Sequence, residues 1–105
     1  MKFHHIGIPV NEKKENETYL EDAGAYITDA EADPYRIEWL RFEDDSPMPK
    51  PVREKTHVAF EVDDLEEAVR DKDVILAPVS PMKGLKIAFI LHEEIPVELM
   101  EFENA

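Results

Sequence analysis

Two short stretches of the sequence place a histidine in the same context. The stretch "HHIGIPV" lies near the N-terminus, and "HVAFEV" lies past the middle of the chain. Alternate residues of an extended strand share one face, so His5 lies next to Gly7 and His57 lies next to Ala59. Because glycine and alanine have almost no side chain, each is expected to leave open space beside an imidazole. The pattern predicts two strands that display histidine on a roomy face.

Two glutamates occupy matching places further along the chain. Glu38 is the second residue of "IEWLRF", and Glu98 is the second residue of "VELMEF". The sequence therefore reads as two modules, each beginning with a histidine strand and ending with a glutamate strand. The His-to-Glu spacing is 38 − 5 = 33 residues in the first module and 98 − 57 = 41 in the second. The difference is about one strand with its turn, and "LKIAFILHE" is the strand without a clear counterpart.

These four side chains form a donor set that suits a divalent metal ion. Two neutral imidazoles and two carboxylates are typical ligands of Zn, Ni, Co, Mn or Fe, and the two carboxylates balance the charge of the ion. In a six-coordinate shell, two positions remain for water or for two substrate oxygens. Taken singly, a strand histidine is more often structural and a strand glutamate more often faces solvent. The duplication favours a metal site, with the ligands His5, Glu38, His57 and Glu98.

The remaining candidate residues lie on the same strand faces. Four large apolar residues share the face of the glutamates, where they either fill the interior of a barrel or form the wall of a substrate pocket: Leu40, Phe42, Met100 and Phe102. Gly7 and Ala59 complete the predicted pocket. The other two histidines, His4 and His92, are interpreted as structural or exposed residues.

Periodicity and turn residues predict the elements that position this set. Strands are predicted at 2–10, 25–30, 35–43, 56–64, 74–80, 85–93 and 96–103. A helix is predicted at 11–22, because Asn11 is a capping residue and Gly24 a stop signal, and a short helix at 64–73. The proline-rich segment at about 46–55 is interpreted as a linker between module 1, about 1–45, and module 2, about 56–105. The fold class is thus α+β in one domain, 1–105, with a βαββ module followed by a βαβββ module.

Composition excludes several classes of function. The chain has 105 residues, enough for one domain with a core, and no cysteine, so disulfides and cysteine-based zinc sites are excluded. The net charge of −13 argues against nucleic-acid binding, which needs clustered Lys and Arg. The sequence has neither an apolar signal region nor a run long enough to span a membrane. A cytoplasmic protein without a membrane partner is expected.

The stretches "HHIGIPV", "THVAFEVDDLEEAV" and "IPVELMEF" resemble the vicinal oxygen chelate superfamily, which includes glyoxalases, methylmalonyl-CoA epimerases, extradiol dioxygenases and bleomycin resistance proteins. The resemblance implies paired βαβββ modules, the first one shortened here, that form an open, cupped β-sheet barrel with helices outside. It also implies one metal ion held by His5, His57 and Glu98, with Glu38 at the more variable fourth position. The resemblance to this superfamily further implies a homodimer.

The resemblance leaves different functions open. The first is a metal-dependent lyase or isomerase of the glyoxalase or epimerase type, which acts on a small oxygen-chelating substrate through enolate stabilisation. Glu98 or Glu38 is then the general base. The second is a non-catalytic protein that binds or sequesters a small molecule against the apolar wall, as resistance members of the superfamily do. The third is a scaffold or regulatory module that neither catalyses a reaction nor binds a small molecule.

Overall fold

A computed structural model describes residues 1–103 as one continuous eight-stranded sheet with short helices. The strands are β1 Lys2–Pro9, β2 Thr18–Leu20, β3 Ala25–Ile27, β4 Ile37–Phe42, β5 His57–Glu61, β6 Asp73–Met82, β7 Leu85–His92 and β8 Ile95–Phe102. The α-helices are α1 Lys50–Glu54 and α2 Leu65–Ala68, and short 3-10 helices lie at Glu21–Ala23 and Ala30–Ala32. Among the described residues, no helix has the length and apolar character needed to cross a membrane.

The order of the strands divides the sheet into two equivalent halves. The order is β2-β3-β4-β1-β5-β8-β7-β6, so each module contributes four neighbouring strands and the two first strands meet at the centre. In both modules the first strand pairs in parallel with the last one, and β1 pairs antiparallel with β5. The sheet curls into a cup, with α2 packed on its outer face and α1 on its inner side. The predicted fold class is confirmed.

The predicted helix at 11–22 is wrong. Residues 11–17 form an irregular loop, and the following residues form strand β2 and a 3-10 turn. No apolar side chain occurs between Asn11 and Thr18, so a helix here has no apolar face to pack against the sheet. The loop is held by polar contacts instead: Arg41 donates two hydrogen bonds to Glu17, at 3.0 and 2.7 Å.

The first module is the shorter one, although it does not lack a strand. Strands β2 and β3 have three residues each, whereas their counterparts β6 and β7 have ten and eight. Strand β3 is therefore the counterpart of "LKIAFILHE", which the sequence analysis left unmatched. The shortening lies in the lengths of the strands and in the missing helix.

The segment interpreted as a linker contains helix α1. Pro49 and Pro51 flank the first residue of the helix, a position where proline is tolerated because the first amides of a helix have no intrahelical acceptor. Val52 is fully buried and packs in a cluster with Ala59 and Met100 on the concave face of the sheet. The helix therefore fills part of the cup.

Helix α2 covers the convex face of the second module. The side chain of Asp64 caps it by accepting a hydrogen bond from the amide of Glu67, at 3.2 Å. Leu65 is fully buried against Ala88 and Leu99. The helix has four residues, fewer than the predicted range of 64–73, and the apolar residues that pack with Leu65 end at Val69.

Candidate metal centre

The parallel pairing within each module places a histidine and a glutamate on the same face with the same offset. Gly7 pairs with Glu38 between β1 and β4, and Ala59 pairs with Glu98 between β5 and β8. Each histidine lies two residues before the small residue of its pair, hence on the same face. The His-to-Glu spacing in the sequence differs between the two modules, but the histidine and the glutamate occupy equivalent positions in the sheet. The extra residues of the second module lengthen β6 and β7.

The antiparallel pairing of β1 with β5 brings the two modules together. Gly7 pairs with His57, and His5 pairs with Ala59. The two imidazole rings lie 5.5 Å apart between centroids, with an interplanar angle of 77°. A Cβ atom on Gly7 would overlap Cε1 and Nε2 of His57. The space that the glycine leaves is therefore filled by the imidazole of the other module, and it is not the open pocket space expected from the sequence.

The four predicted ligand side chains converge on one point. One donor atom of each, from His5, Glu38, His57 and Glu98, lies within 4.8 Å of all the others. His5 Nε2 is 3.3 Å from Glu98 Oε1 and 3.4 Å from Glu38 Oε1, and His57 Nε2 is 3.1 Å from Glu98 Oε1 and 4.0 Å from Glu38 Oε1. With metal–ligand bonds of about 2.1 Å, donors are about 3.0–3.4 Å apart at adjacent positions and about 4.2 Å apart at opposite ones. The four imidazole-to-carboxylate distances, 3.1–4.0 Å, fall within the range expected for ligands of a single ion.

The charges of this cluster are mutually stabilised inside the protein. Both histidines are 2% exposed and Glu98 is 7% exposed. Burial by itself lowers the pKa of His5, but the nearby Glu38 and Glu98 carboxylates outweigh it and raise the pKa to about 9. Burial likewise raises the pKa of Glu98, but its contacts with His5 and His57 outweigh that effect and lower the pKa to about 2. Without a metal ion, the raised pKa predicts a protonated His5 beside the two carboxylates.

The donor chemistry fits a metal ion. His5 Nε2 is buried and has no hydrogen-bond partner among the described residues, although it points at two carboxylates. Buried polar atoms are normally paired, and coordination by an imidazole nitrogen that has lost its proton satisfies such an atom. Two carboxylates at the same point balance a divalent charge. We conclude that this cluster, hereafter the four-residue cluster, can hold a divalent cation.

The apolar residues of the predicted pocket wall belong mostly to the core. Leu40 and Met100 are buried, Met100 belongs to the cluster around Val52, and Phe42 packs against that cluster. Phe102 is 38% exposed. Of the two roles left open for these residues, the structure favours interior packing, because α1 inserts Val52 into the space of the cup.

An open groove lies near one end of β1 and β4. Its volume is about 410 Å³, and its lining combines apolar, acidic and basic residues: Pro9, Val10, Asn11, Phe42, Glu43, Asp44, Arg53 and Glu54. None of these residues belongs to the four-residue cluster. The cluster itself is most accessible through Glu38, whose side chain is 15% exposed.

Sequence reasoning missed the position of His4. This residue is buried, and its Nδ1 lies 2.7 Å from Nδ1 of His5. Strict alternation would turn adjacent residues of a strand to opposite faces, but the pairing of β1 with β5 is irregular between Phe3 and His5. The doubled histidine in "HHIGIPV" was the only available signal. His92, by contrast, is exposed, as interpreted from the sequence.

Comparison with solved structures identifies the fold. The chain is similar to the hypothetical protein BH1468 from Bacillus halodurans C-125, with a TM-score of 0.71 and 21% identity over 99% of this chain and 96% of that one. It is also similar to methylmalonyl-CoA epimerase from Mycobacterium tuberculosis, with a TM-score of 0.66 and 16% identity over 98% of this chain and 89% of that one. No family model matches the sequence, and no curated protein matches it significantly. At these identities the likeness shows a shared fold.

The first prediction concerns metal stoichiometry. We expect purified untagged protein, dialysed against a divalent transition metal and then freed of excess metal, to retain about one ion per chain by elemental analysis. His57→Ala and Glu98→Ala should each abolish retention, since each removes a ligand and leaves a buried partner unpaired. The exposed His92→Ala is the matched control and should retain the ion. Equal metal content in all four proteins would refute the site.

The second prediction concerns pH. Below about pH 9 the metal-free protein carries a proton on His5, and this proton must leave before Nε2 binds an ion. Metal affinity should therefore rise with pH, by about tenfold per unit between pH 6.5 and 8.5 for one released proton, and level off above pH 9. Calorimetric titration with NiCl₂ in two buffers of different ionisation enthalpy measures the proton release. A dissociation constant that is independent of pH over this range contradicts the account.

The third prediction concerns the glycine at the junction of the modules. Gly7→Ala should displace the His57 imidazole, with a loss of metal retention and a destabilisation of about 1–3 kcal/mol, as found for overpacked interiors. Gly84→Ala is the control, because a Cβ at Gly84 meets open space although its backbone φ is +82°. The control should lose some stability but retain the ion. Undiminished metal retention by Gly7→Ala would show that the close contact does not matter to the site.

Proposed function

We propose that this protein is a metal-dependent enzyme of the isomerase or lyase type within the vicinal oxygen chelate superfamily. It moves a proton at a carbon next to a carbonyl group of a small substrate that offers two neighbouring oxygens. The observation that carries the proposal is the convergence of two imidazoles and two carboxylates in a buried cluster. The fold, shared with an epimerase, adds support.

The four residues would hold the ion, and the reaction also needs a base. When bound, a divalent ion supplies Lewis acidity, which lowers the pKa of a C–H bond beside a carbonyl group and favours the enolate. The base must be a group of the protein within reach of that carbon. In the described residues the carboxylates of Glu38 and Glu98 are the acidic groups at the centre.

Glu38 suits the role of base better than Glu98. Glu98 contacts both histidines, at 3.3 and 3.1 Å, and these contacts lower its pKa to about 2, so it is a weak base held in place. Glu38 lies 4.0 Å from His57 Nε2, and its side chain is 15% exposed, against 9% for Glu98. The more open carboxylate has room to turn toward a substrate. We assign proton transfer to Glu38 and ligand anchoring to Glu98.

The surroundings favour a small substrate of low charge. The net charge of the chain is −13, and the groove beside β1 and β4 contains Glu43, Asp44 and Glu54 but one arginine, Arg53. Such a field repels polyanions and slows their approach. A coenzyme A ester, named for the epimerase of similar fold, is therefore disfavoured. A hydroxy-ketone, a 2-oxo acid derivative or a short thioester fits the charge better.

The non-catalytic alternative has less support. Sequestration of a ligand by the apolar wall requires that wall to be open, whereas Phe42 and Met100 pack against the cluster around Val52. A scaffold role does not require four titratable side chains at one buried point. The homodimer and the cytoplasmic location stay predictions.

The fourth prediction tests proton transfer. In D₂O, metal-loaded protein should catalyse exchange of the proton beside the carbonyl in at least one member of a panel containing a hydroxy-ketone, a 2-oxo acid and a short thioester, followed by NMR. Glu38→Gln keeps an oxygen donor but removes the base, so the exchange rate should fall by about 10²–10⁴-fold. The exposed Glu66→Gln is the control. No exchange above that of the free ion, for every compound, contradicts the proposed function.

A further inference from the structure

A second imidazole lies behind the His5 ligand. His4 is 7% exposed, and its Nδ1 is 2.7 Å from Nδ1 of His5, within hydrogen-bond distance. The two rings are 5.0 Å apart between centroids and nearly perpendicular, at 79°. This arrangement depends on the irregular pairing between Phe3 and His5, which lets two consecutive side chains approach each other. His4 therefore contacts the Nδ1 edge of the His5 ring, while Nε2 of the same ring points at the four-residue cluster.

The positions of the nitrogen atoms allow His5 to bind an ion with only one direction of this hydrogen bond. His5 Nε2 points at Glu38 and Glu98, so it must carry no proton when it binds an ion. A neutral imidazole carries its proton on one nitrogen, hence His5 Nδ1 is the donor and His4 Nδ1 the acceptor. If His4 donated instead, the proton of His5 would lie on Nε2 and block coordination. The acceptor on His4 thus selects the tautomer of His5 that can be a ligand.

The surroundings of Nε2, the other nitrogen of the His4 ring, agree with this assignment of protons. Because His4 Nδ1 accepts, its own proton lies on Nε2, and this atom is 3.6 Å from the Glu31 carboxylate. The main-chain oxygen of His4 accepts a hydrogen bond from Arg36 Nε, at 2.8 Å, and its ring lies against Phe102, at 5.5 Å between centroids. The 3-10 helix that carries Glu31 is itself fixed, since Asp29 accepts from the Glu31 amide at 2.9 Å. The orientation of His4 is therefore set by groups on several elements.

We propose that His4 is a positioning residue that fixes the tautomer and the ring plane of His5. The proposal rests on the proposed function, because the ligand role of His5 gives the tautomer its importance. Partners of this kind behind a ligand imidazole typically contribute 10- to 100-fold to metal affinity. The equivalent atom of the other module, His57 Nδ1, is buried without a partner in the described part of the chain. The positioning device is thus specific to the first module.

Two substitutions at one position separate the hydrogen bond from packing. His4→Phe keeps an aromatic ring against Phe102 but removes the acceptor, whereas His4→Asn places an amide oxygen near the position of Nδ1. With NiCl₂ as the probe, we expect the dissociation constant to rise by about 10- to 100-fold in His4→Phe. It should return to within about threefold of the parent value in His4→Asn. The exposed His92→Phe is the matched control.

The metal-free parent protein gives a second readout that does not depend on metal binding. In ¹⁵N NMR of the imidazoles, Nδ1 of His5 should carry a proton that is coupled across to Nδ1 of His4, and the proton of His4 should reside on Nε2. A proton found on Nδ1 of His4 would overturn the proposal, as would an unchanged dissociation constant in His4→Phe. If the parent protein binds no NiCl₂ while the tautomers are as stated, the metal function fails and the pairing of His4 with His5 stands.

Discussion

The close approach of β1 and β5 at Gly7 is the constraint on which the site depends. These strands are the first of each module, and their antiparallel pairing puts each histidine opposite the small residue of the other module. Because Gly7 has no side chain, the His57 imidazole lies directly over its backbone, and the two rings meet at the junction of the halves. The parallel pairing of β1 with β4 and of β5 with β8 then brings one glutamate from each side. The sequence predicted open space beside Gly7, but in the structure the His57 imidazole of the other module occupies that space.

Stability alone does not explain four titratable groups at one buried point, because their desolvation costs free energy. A buried ion pair gains little over well-packed apolar residues, because desolvation offsets the Coulomb attraction. The surrounding core follows that rule: Val52, Ala59 and Met100 are apolar, and their neighbours in the cluster are as well. The raised pKa of His5 and the lowered pKa of Glu98 arise from mutual contacts rather than from exposure to water. Such perturbed groups at one point are characteristic of functional sites, and the two carboxylates here carry the charge that would balance a divalent ion.

The sequence predicted those features that depend on strand alternation. A period of two residues determines which side chains share a face, and it placed His5, His57, Glu38 and Glu98 on one side of the sheet. The helix at 11–22 was wrong because capping signals at Asn11 and Gly24 are local, whereas helix stability requires an apolar face that this segment lacks. Helix α1 was missed because its prolines, which suit a helix start, also suit a linker. The inward position of His4 depends on a strand irregularity, which alternation cannot reveal.

The proposed function requires that one ion is bound jointly by both modules. X-ray diffraction from metal-soaked crystals, collected on both sides of the absorption edge of the metal, tests this most directly. We expect a single anomalous peak per chain, about 2.0–2.2 Å from Nε2 of His5 and His57 and from a carboxylate oxygen of Glu38 and Glu98. A peak elsewhere, or none at this point with the metal bound in solution, would contradict it.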